Sequence, residues 1–525
     1  MSFIELHARS AFSFLRGASR PEDMVTRAAE LGLTHIALTD RDGVYGSARA
    51  HYRAKELGLT AFAGAELTLA DDSVLPVLVR TRAGYQNLCR LLTRSKLRAP
   101  KGEGRVEWAE LEEFSEGLLA LTGDSEGPVQ RALADKTAAP QIVERLVRIF
   151  GRENVSVELQ RHRLRQEKPR NAALIELAER FSLPVVASNG PCHATSEGRL
   201  VLDAFTCLRH HTTLDEAGLW LSPNAQRRLK SETEMRELFA DLPGAIDQTE
   251  RIAERLEFTL ENLGYEFPSY AVPAGHDQAS FLREMAFHGA AERYPAVTQK
   301  VRDMLDHELR IISNLKFDGY FLIVWNIVSW CKEQGIMIQG RGSAANSVVC
   351  YALGITNADP IKYKLLFERF LSAGHTSWPD IDLDLPSGDA RESVIQEMYR
   401  RYQPYGAAMT ANVITYRGRS AMREMSKVLG LPPDLTDRFS SLFPHGDYNH
   451  TLELQEQISQ AGLPVQHPRL PALMKLYQMV YGLPRHLGQH SGGMVLCSAG
   501  LDSIVPLEPA AMPNRTVVQW DKDDC

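Results

Sequence analysis

Short apolar segments alternate with amphipathic ones over the first 200 residues, and this rhythm constrains the fold more than any other feature. Strand-type runs occur at 3–6, 34–39, 61–67, 74–79, 118–122, 155–159 and 184–188. Helical patterns separate most of them, including 22–31, which follows the start signals Ser19 and Pro21. Strands that alternate with helices predict an α/β fold with parallel strands and helical crossovers, closed or nearly closed into a barrel.

Four residues of metal-ligating type lie at or just past the C-terminal ends of these predicted strands. They are His7, Asp40, Glu66 and His193. Barrels of this kind place their functional residues at the strand ends. The sequence therefore predicts that these four side chains share one pocket.

A second candidate site is the segment Trp378–Leu385, which we interpret as a strand and call the acidic strand. Side chains on a strand alternate between its two faces. One face carries three acids, namely Asp380, Asp382 and Asp384. Like charges this close are costly unless a cation neutralises them, and Mg²⁺ with oxygen ligands is the usual one. The alternative is an edge strand whose acids are solvated.

A glycine-rich turn precedes the acidic strand and consists of Gly340, Arg341, Gly342 and Ser343. Glycines allow backbone N–H groups to approach an anion at a helix N-terminus, and an arginine suits phosphate. Ser343 is a candidate N-cap, and an ordinary capped helix is the alternative. A phosphate cradle followed by paired carboxylates is typical of a nucleotidyltransferase palm.

The chain resembles the bacterial C-family DNA polymerases, the DNA polymerase III alpha subunits, from about Phe3 to its last residue. The resemblance rests on the glycine-rich turn, on 366–371 (LFERFL) and on 379–384 (PDIDLD). Three further segments look more like the error-prone, translesion paralogue of that family. They are 12–18 (FSFLRGA), 385–389 (LPSGD) and 485–493 (RHLGQHSGG).

The resemblance implies an N-terminal PHP-type (β/α) barrel followed by a mixed α/β palm with an inserted, mainly helical thumb. The implied domains are a PHP domain at 1–268, a palm at 269–411, a thumb at 412–490 and a return to the palm at 491–525. Prolines and the absence of helical periodicity at 265–275 support the first boundary.

The resemblance also implies a function, namely two-metal addition of deoxynucleotides to a primer 3′ end. Asp380 and Asp382 would bind two Mg²⁺, and Asp384 would support the strand. The triphosphate would be held by Gly340, Arg341, Gly342, Ser343 and Arg369. The family's third catalytic carboxylate follows the segment with which this chain ends. We therefore expect the chain alone to be inactive, and we assign the role to none of Asp521, Asp523 and Asp524.

In the PHP domain, the residues His7, Asp40, Glu66 and His193 match family metal ligands, but two neighbours depart from the pattern. Arg9 and Arg41 stand where the family usually has histidines. An arginine stays charged and cannot ligate a cation. We expect a degenerate pocket in which Arg9 and Arg41 pair with Asp40 and Glu66. The alternative function is a PHP-type metallophosphoesterase whose second half binds nucleic acid.

A cationic stretch after the acidic strand is the candidate DNA contact. It contains Arg391, Arg400, Arg401, Arg417, Arg419, Arg423 and Lys427. Clustered cations supply sequence-independent affinity for phosphates, and a solvated helix face is the alternative. In the family, the residues matching His490, Ser491 and Gly492 begin a glycine-rich helix that faces the duplex; a packing turn is the alternative. Implied partners are primer–template DNA, deoxynucleotides, a sliding clamp and translesion accessory proteins.

Composition sets the remaining bounds. The 525 residues are 44% hydrophobic and 24% charged, with a formal net charge of −7, so DNA contacts need a local basic stripe. The most apolar run, 320–328, is far short of the ~18 residues of a membrane span. Seven cysteines without a C-x-x-C pair, and no signal-peptide pattern, predict a cytoplasmic protein without a membrane partner.

Overall fold

The computed structural model describes residues 2–261, 263–372, 379, 381–442 and 467–525. Its internal contacts divide the chain into two compact units. The first unit comprises Met1–Gly264, Ala408–Val495 and Leu501–Cys525. The second unit comprises Tyr265–Ala407 and Leu496–Gly500. The two units are defined by contacts within the structure, whereas the domains predicted from the sequence follow the organisation of a family. The predicted domain boundaries therefore stay predictions.

The first unit begins with the predicted alternation of strands and helices. Its strands are β1 (Glu5–Ala8), β2 (His35–Arg41), β3 (Thr60–Thr68), β4 (Val74–Val79), β5 (Leu118–Leu121), β6 (Val155–Gln160) and β7 (Val185–Ser188). Its helices are α1 (Pro21–Glu30), α2 (Ser47–Leu57), α3 (Arg82–Leu97), α4 (Trp108–Phe114), α5 (Pro128–Ala132), α6 (Ala138–Phe150), α7 (Glu167–Phe181), α8 (Gly198–His210), α9 (Glu232–Leu238) and α10 (Pro243–Ala253). Each predicted strand is confirmed close to its expected bounds.

The strands form one seven-stranded sheet in the order β1 to β7. The prediction of parallel strands is wrong for β4, which runs antiparallel to both β3 and β5. Only residues 69–73 join β3 to β4, and a crossover to a parallel strand needs a dozen residues or more. The short connection therefore reverses the chain.

Contacts between the first and last strands bring the sheet close to a closed barrel, as predicted. The backbone N–H of Asn189, just after β7, donates to Glu5 Oε2 of β1 at 2.9 Å. The N–H of Arg9 donates to the carbonyl of Pro191 at 2.9 Å. Apolar side chains from six strands meet α10 in one buried cluster, which includes Leu6, Phe62 and Ile252.

Two later segments complete the first unit. They supply the strands β10 (Ala407–Thr415), β11 (Pro484–Leu496), β12 (Leu507–Pro509) and β13 (Thr516–Asp521), and the helices α16 (Gly418–Val428), α17 (Pro433–Leu442) and α18 (Leu470–Val480). The four strands form a sheet in the order β11-β10-β13-β12. Helices α16 and α18 pack on α8 through a buried apolar cluster. Tyr45 Oη donates to Glu508 Oε2 at 2.7 Å, which joins the second sheet to the barrel.

The second unit contains α11 (Gln278–Arg293), α12 (Gln299–Asn314), α13 (Asp318–Glu333), β8 (Gln339–Arg341), α14 (Val348–Ala352), β9 (Asp382–Asp384) and α15 (Asp389–Arg401). The most apolar run of the sequence, 320–328, lies in α13 and contributes to the core, with Phe321, Leu322 and Val328 inaccessible to solvent. No single helix in the described ranges is long and apolar enough to cross a membrane, although α12 and α13 pass that test together as a pair bent by 115°.

Candidate active site

The acidic strand pairs with the strand that opens the glycine-rich turn. β8 and β9 form an antiparallel two-stranded sheet in which Gln339 faces Asp384, Gly340 faces Leu383 and Arg341 faces Asp382. Asp382 and Asp384 are exposed on one face, while Leu383 packs on the apolar core of the second unit. The expected alternation is therefore present in the described part of the acidic strand. Asp380 lies outside the described residues.

The glycine-rich turn adopts a conformation that its glycines make possible. A Cβ on Gly340 would lie 2.9 Å from the carbonyl oxygen of Ile355, which accepts a hydrogen bond from Gly340 N–H. Gly342 has a φ of +71°, a value that L side chains rarely adopt, and begins the 3₁₀ turn Gly342–Asn346. A Cβ on Gly342 would face Asp382 Oδ2 across 3.9 Å. The glycine-rich turn and the carboxylate of Asp382 therefore lie next to each other on one face of the two-stranded sheet.

Arg341 bridges the two acids of the strand. Its Nε lies 3.1 Å from Asp384 Oδ1 and 3.7 Å from Asp382 Oδ2. All three side chains are more than half exposed, so solvent screens these ion pairs and their contribution to folding is small. A half-exposed guanidinium held over two carboxylates is available to an anionic ligand.

The helix after the turn is capped differently from the prediction, and Ser343 is not its N-cap. Ser347 Oγ accepts from Cys350 N–H at 3.0 Å and caps α14. Sequence reasoning missed Glu308 of α12, whose carboxylate accepts from Val348 N–H and Val349 N–H at 2.9 and 3.0 Å. A carboxylate of the chain itself therefore occupies this helix N-terminus.

Burial raises the pKa of Glu308 to about 7, although the backbone and Ser347 donors favour its charged form. The signal for this residue was present in the sequence. Glu308 stands among Leu305, Leu309 and Ile312 on the apolar face of α12. An acid at a core position of an amphipathic helix predicts a buried partner.

Arg369 belongs to the 3₁₀ turn Phe367–Arg369, which packs beside the 3₁₀ turn Gly342–Asn346. Phe367 is buried and anchors the element, whereas Arg369 is exposed. The structure thus places the 3₁₀ turn that carries Arg369, a residue predicted to bind the triphosphate, beside the glycine-rich turn.

The predicted cationic stretch is divided between the two units. Arg391, Arg400 and Arg401 belong to α15, and Glu397 pairs with Arg400 and Arg401 at 2.6 and 2.7 Å. The other cations lie on or just before α16, where Arg417 and Arg419 are exposed and Arg423 Nη2 is 3.7 Å from Asp437 Oδ1.

The helix start expected at His490, Ser491 and Gly492 is wrong, because these residues lie inside strand β11. Thr410 Oγ1 on the neighbouring strand donates to the carbonyl of Gly493 at 3.2 Å. His490 Nδ1 accepts from Gly493 N–H at 2.7 Å. Ser491 and Gly492 are nevertheless exposed, so their backbone and hydroxyl groups face solvent.

The carboxylates near the end of the chain have partners of their own. Asp521 is buried, and its Oδ2 accepts from Val413 N–H at 2.6 Å, which ties β13 to β10. Asp524 pairs with Arg49 at 2.9 Å, and Asp523 accepts from Lys522 at 2.5 Å. Asp521 therefore has a structural role in the second sheet.

In the barrel, His7 and Glu66 come together, with His7 Nε2 2.7 Å from Glu66 Oε1 and Nδ1 2.8 Å from Glu158 Oε1. Burial opposes charge on His7, yet Glu158 and Glu66 raise the pKa of His7 to about 10. His193 instead donates from Nδ1 to the carbonyl of Thr195 at 2.6 Å. Burial, aided by Arg227, lowers the pKa of His193 to about 4.

Arg9 and Arg41 pair with Glu66, as expected. Arg9 Nε donates to Glu66 Oε1 at 2.6 Å, and Arg41 Nε donates to Glu66 Oε2 at 2.8 Å. Burial alone would raise the pKa of Glu66, but the charges of Arg9 and Arg41 hold it well below its ordinary value. Both guanidinium groups are nearly inaccessible to solvent.

The expected pairing of Asp40 with an arginine is wrong. Asp40 accepts from Ser10 N–H and Ser13 Oγ, both at 2.7 Å, because the loop after β1 folds over the end of β2. Sequence reasoning also missed Asp124, which pairs with Arg9 at 2.8 Å and with Arg227 at 2.7 Å. Its position after β5, another strand end, was the available signal.

These contacts decide whether the barrel pocket suits metal ions. The guanidinium groups of Arg9 and Arg41 lie on Glu66, and an arginine cannot ligate a cation. In the ranges that the structure describes, no group of three or more His, Cys, Asp and Glu side chains is placed to hold a metal. The residues present therefore do not fit the metal cluster that a PHP barrel implies.

The fold defines a class, that of mixed α/β proteins with an N-terminal, nearly closed PHP-type barrel. Residues 5–162 match the family model of the PHP domain, and residues 280–525 match the model described as Bacterial DNA polymerase III alpha NTPase domain. These two matches assign the first part of the chain to the PHP domain and its second part to the DNA polymerase III alpha model.

Curated relatives agree with this assignment. The Error-prone DNA polymerase of Mycobacterium bovis is 42% identical over 544 residues, which cover 100% of this chain and 48% of the relative. The Error-prone DNA polymerase of Pseudomonas syringae pv. tomato is 41% identical over 526 residues, which cover 99% of this chain and 50% of the relative. The chain thus spans about half the length of the curated relatives it matches.

Proposed function

We propose that the acidic strand and the glycine-rich turn form part of the nucleotidyl-transfer site of an error-prone DNA polymerase. One observation carries the proposal: the register of β8 and β9 sets Arg341 opposite Asp382, so phosphate donors and a carboxylate share one exposed face. The match of residues 280–525 to the DNA polymerase III alpha model supports it. Because the relatives are about twice as long, the activity is proposed for the whole protein.

The donor chemistry on β9 fits Mg²⁺, since Asp382 presents an exposed carboxylate and Mg²⁺ prefers hard oxygen ligands. Asp380 and Asp382 would hold two Mg²⁺, which supply Lewis-acid stabilisation of charge on the phosphoryl oxygens. The backbone N–H groups of the glycine-rich turn would hold the triphosphate. Arg341 and Arg369 would add charge-assisted hydrogen bonds.

We assign sequence-independent contact with primer–template DNA to Arg417, Arg419 and Arg423. Arg417 and Arg419 support this role, because both side chains are exposed at the start of α16 and arginines are common donors to phosphate oxygens. His490, Ser491 and Gly492 would contribute from β11, through groups on an exposed strand edge and not through a helix terminus. This edge offers polar donors to a nucleic-acid backbone.

The translesion role, its accessory proteins and a sliding clamp are part of the same proposal. They follow from the resemblance and from relatives named Error-prone DNA polymerase. A cytoplasmic location fits that role, and all seven cysteines are free, as in a reducing compartment. In this proposal the PHP barrel is a scaffold, because arginines neutralise Glu66 where a phosphoesterase would need metal ions.

The experiment is primer extension by the full-length protein carrying Asp382→Asn. Losing the carboxylate should reduce extension by about a hundredfold or more, because it removes a charge that acts on the transition state. Asp384→Asn is the matched control on the same strand face and should retain most activity. Substantial extension by Asp382→Asn, with correct folding shown by circular dichroism, would refute the assignment.

A further inference from the structure

The chain that leaves the glycine-rich turn is held by an acid to which the proposed function gives no role. This acid is Glu308 of α12, which is 1% exposed. Its Oε2 accepts from Ser347 Oγ at 2.7 Å and from Val349 N–H at 3.0 Å, and its Oε1 accepts from Val348 N–H at 2.9 Å. One buried carboxyl group therefore holds three consecutive residues of the chain.

Ser347 joins these hydrogen bonds directly to the turn. The 3₁₀ turn Gly342–Asn346 ends at Ser347, and Ser347 is also the N-cap of α14. Its N–H donates to the carbonyl of Ala344 inside the turn at 3.1 Å, and its Oγ accepts from Cys350 N–H at 3.0 Å. A displacement of Ser347 would therefore move the turn as well as the helix.

The entrance of the turn is tied to the same helix. Gly340 N–H donates to the carbonyl of Ile355 at 2.6 Å, and Ile355 N–H donates to the carbonyl of Cys350 at 2.9 Å. Strand β8, the turn and α14 thus form a closed loop of chain, and Glu308 fixes that loop to α12. Groups that bind a substrate need such support, because a displacement of about 1 Å can cost on the order of a hundredfold in rate.

The residue before Glu308 contacts the element that carries Arg369. His307 Nε2 lies 3.5 Å from Glu368 Oε1, and the His307 ring meets the buried ring of Phe367 edge to face, with centroids 6.4 Å apart. The polar contact is open to solvent and weak, so the ring contact contributes more. Two adjacent residues of α12 therefore contact the two elements that are proposed to hold the triphosphate.

We infer that Glu308 is a positioning residue for the triphosphate of the incoming nucleotide, an inference that rests on the proposed function. Its carboxyl group keeps the backbone N–H groups of the glycine-rich turn in place relative to Arg369 and does not itself touch the nucleotide. A residue close in sequence suffices to cap a helix, as Ser347 does for α14. Glu308 instead comes from another helix, 39 residues before Ser347, so its hydrogen bonds set the position of the whole loop.

The test is steady-state kinetics of the full-length protein carrying Glu308→Ala or Glu308→Gln, with nucleotide and primer–template varied separately. Glu308→Ala should raise the KM for the nucleotide about tenfold, the value of one charge-assisted hydrogen bond, and leave the KM for primer–template unchanged. Glu308→Gln keeps one carbonyl acceptor and should raise the nucleotide KM less, by about threefold. A purely structural role would lower kcat through the loss of folded protein and would change neither KM.

Asp318→Ala is the matched control. Asp318 is another buried acid of the second unit, and its Oδ1 accepts from Ser313 Oγ at 2.6 Å. Removing this carboxylate should lower the stability and leave both KM values unchanged. Amide hydrogen exchange of residues 342–352 reports on the turn without any substrate. It should be faster in Glu308→Ala than in the wild type and unchanged in Asp318→Ala.

Three outcomes would overturn the inference. They are an unchanged nucleotide KM in either Glu308 variant, an equal rise in Asp318→Ala, and wild-type hydrogen exchange of 342–352 in Glu308→Ala. Glu308→Gln keeps the test decisive if Glu308→Ala does not fold. Extension that persists in Asp382→Asn would refute the proposed function itself, whereas an inactive Asp382→Asn together with an unchanged KM in the Glu308 variants would refute the positioning role alone.

Discussion

Arg341 and Asp382 face each other across the two-stranded sheet of β8 and β9, with Arg341 Nε 3.7 Å from Asp382 Oδ2. The same guanidinium lies 3.1 Å from Asp384 Oδ1. Two segments that are separate in sequence are therefore held in fixed register by backbone pairing. A phosphate ligand with bound cations could therefore place its phosphates on Arg341 and its cations on Asp382, on one face of this sheet.

Arg341→Ala in the full-length protein should raise the KM for the incoming nucleotide by about tenfold, because one charge-assisted contact with a phosphate is lost. The free energy of unfolding should change by less than about 1 kcal/mol, since the ion pairs with Asp382 and Asp384 are exposed. Steady-state kinetics and urea unfolding measure the two quantities. Arg341→Lys keeps the charge and should recover part of the affinity; an unchanged KM in Arg341→Ala would contradict the role.

Arg417 and Arg419 should contribute to DNA affinity without regard to sequence. Each substitution by glutamine should weaken binding of any duplex similarly and reduce the slope of log K against log salt by about 1. Fluorescence anisotropy at several salt concentrations measures that slope. Arg400→Gln is the comparison, because Arg400 is already paired with Glu397 at 2.6 Å. Equal slopes for the wild type and the Arg417 variant would remove α16 from the DNA interface.

The pairing of Arg9 with Glu66 should be essential to the barrel. Both side chains are almost inaccessible, so Arg9→Ala leaves Glu66 and Asp124 with too little positive charge and should cost about 3 kcal/mol of unfolding free energy. Arg148→Ala breaks an exposed ion pair with Glu112 and should cost less than about 1 kcal/mol. Urea unfolding measures both variants. Similar costs would mean that the buried network adds no stability.

Metal content tests the barrel pocket directly. Protein purified without chelators should contain well under one tightly bound Zn²⁺ or Mn²⁺ per chain, because the guanidinium groups of Arg9 and Arg41 lie on Glu66. Elemental analysis gives the stoichiometry, and phosphoesterase activity should be correspondingly weak. The double variant Arg9→His, Arg41→His should gain affinity for metal. Stoichiometric metal in the wild type, lost in His7→Ala, would show that the pocket tolerates its arginines.

Local patterns were enough to predict the barrel, because its strands are short apolar runs separated by helices. The direction of β4 was not predictable from that rhythm, since it depends on the short connection 69–73. Alternation along the acidic strand correctly placed Asp382 on an exposed face. Its partner β8 could not be inferred, because pairing of distant segments is set by tertiary packing and not by periodicity.

Contacts within the candidate sites depended on geometry that a sequence does not display. The expected partner of Asp40 was an arginine, and the loop after β1 supplies Ser10 and Ser13 instead. Glycine-rich segments mislead in a similar way. His490–Gly492 resembled a helix start, yet these residues lie in β11, the edge strand of its sheet. Sequence identifies the chemical groups, and packing decides which groups meet.

Glu308 should make the stability of the second unit depend on pH. Burial raises its pKa to about 7 from an ordinary value of 4.5, so the folded chain keeps a proton that the unfolded chain has lost. Stability from this group is therefore present at low pH and is lost as the pH rises from 4.5 to about 7. The shift corresponds to on the order of 3 kcal/mol.

The measurement is urea unfolding of the wild type and of Glu308→Gln at about pH 5 and about pH 8. Glutamine cannot titrate, and its carbonyl can still accept from the N–H of Val348 or Val349. Other groups that titrate in this range, such as Glu5, are present in both proteins and cancel in the difference. The wild type should lose stability relative to the variant as the pH rises, because only the wild type must bury a carboxylate charge at the start of α14. A difference that stays constant with pH would show that the backbone donors fully compensate for that charge, and that the carboxylate is ionised throughout.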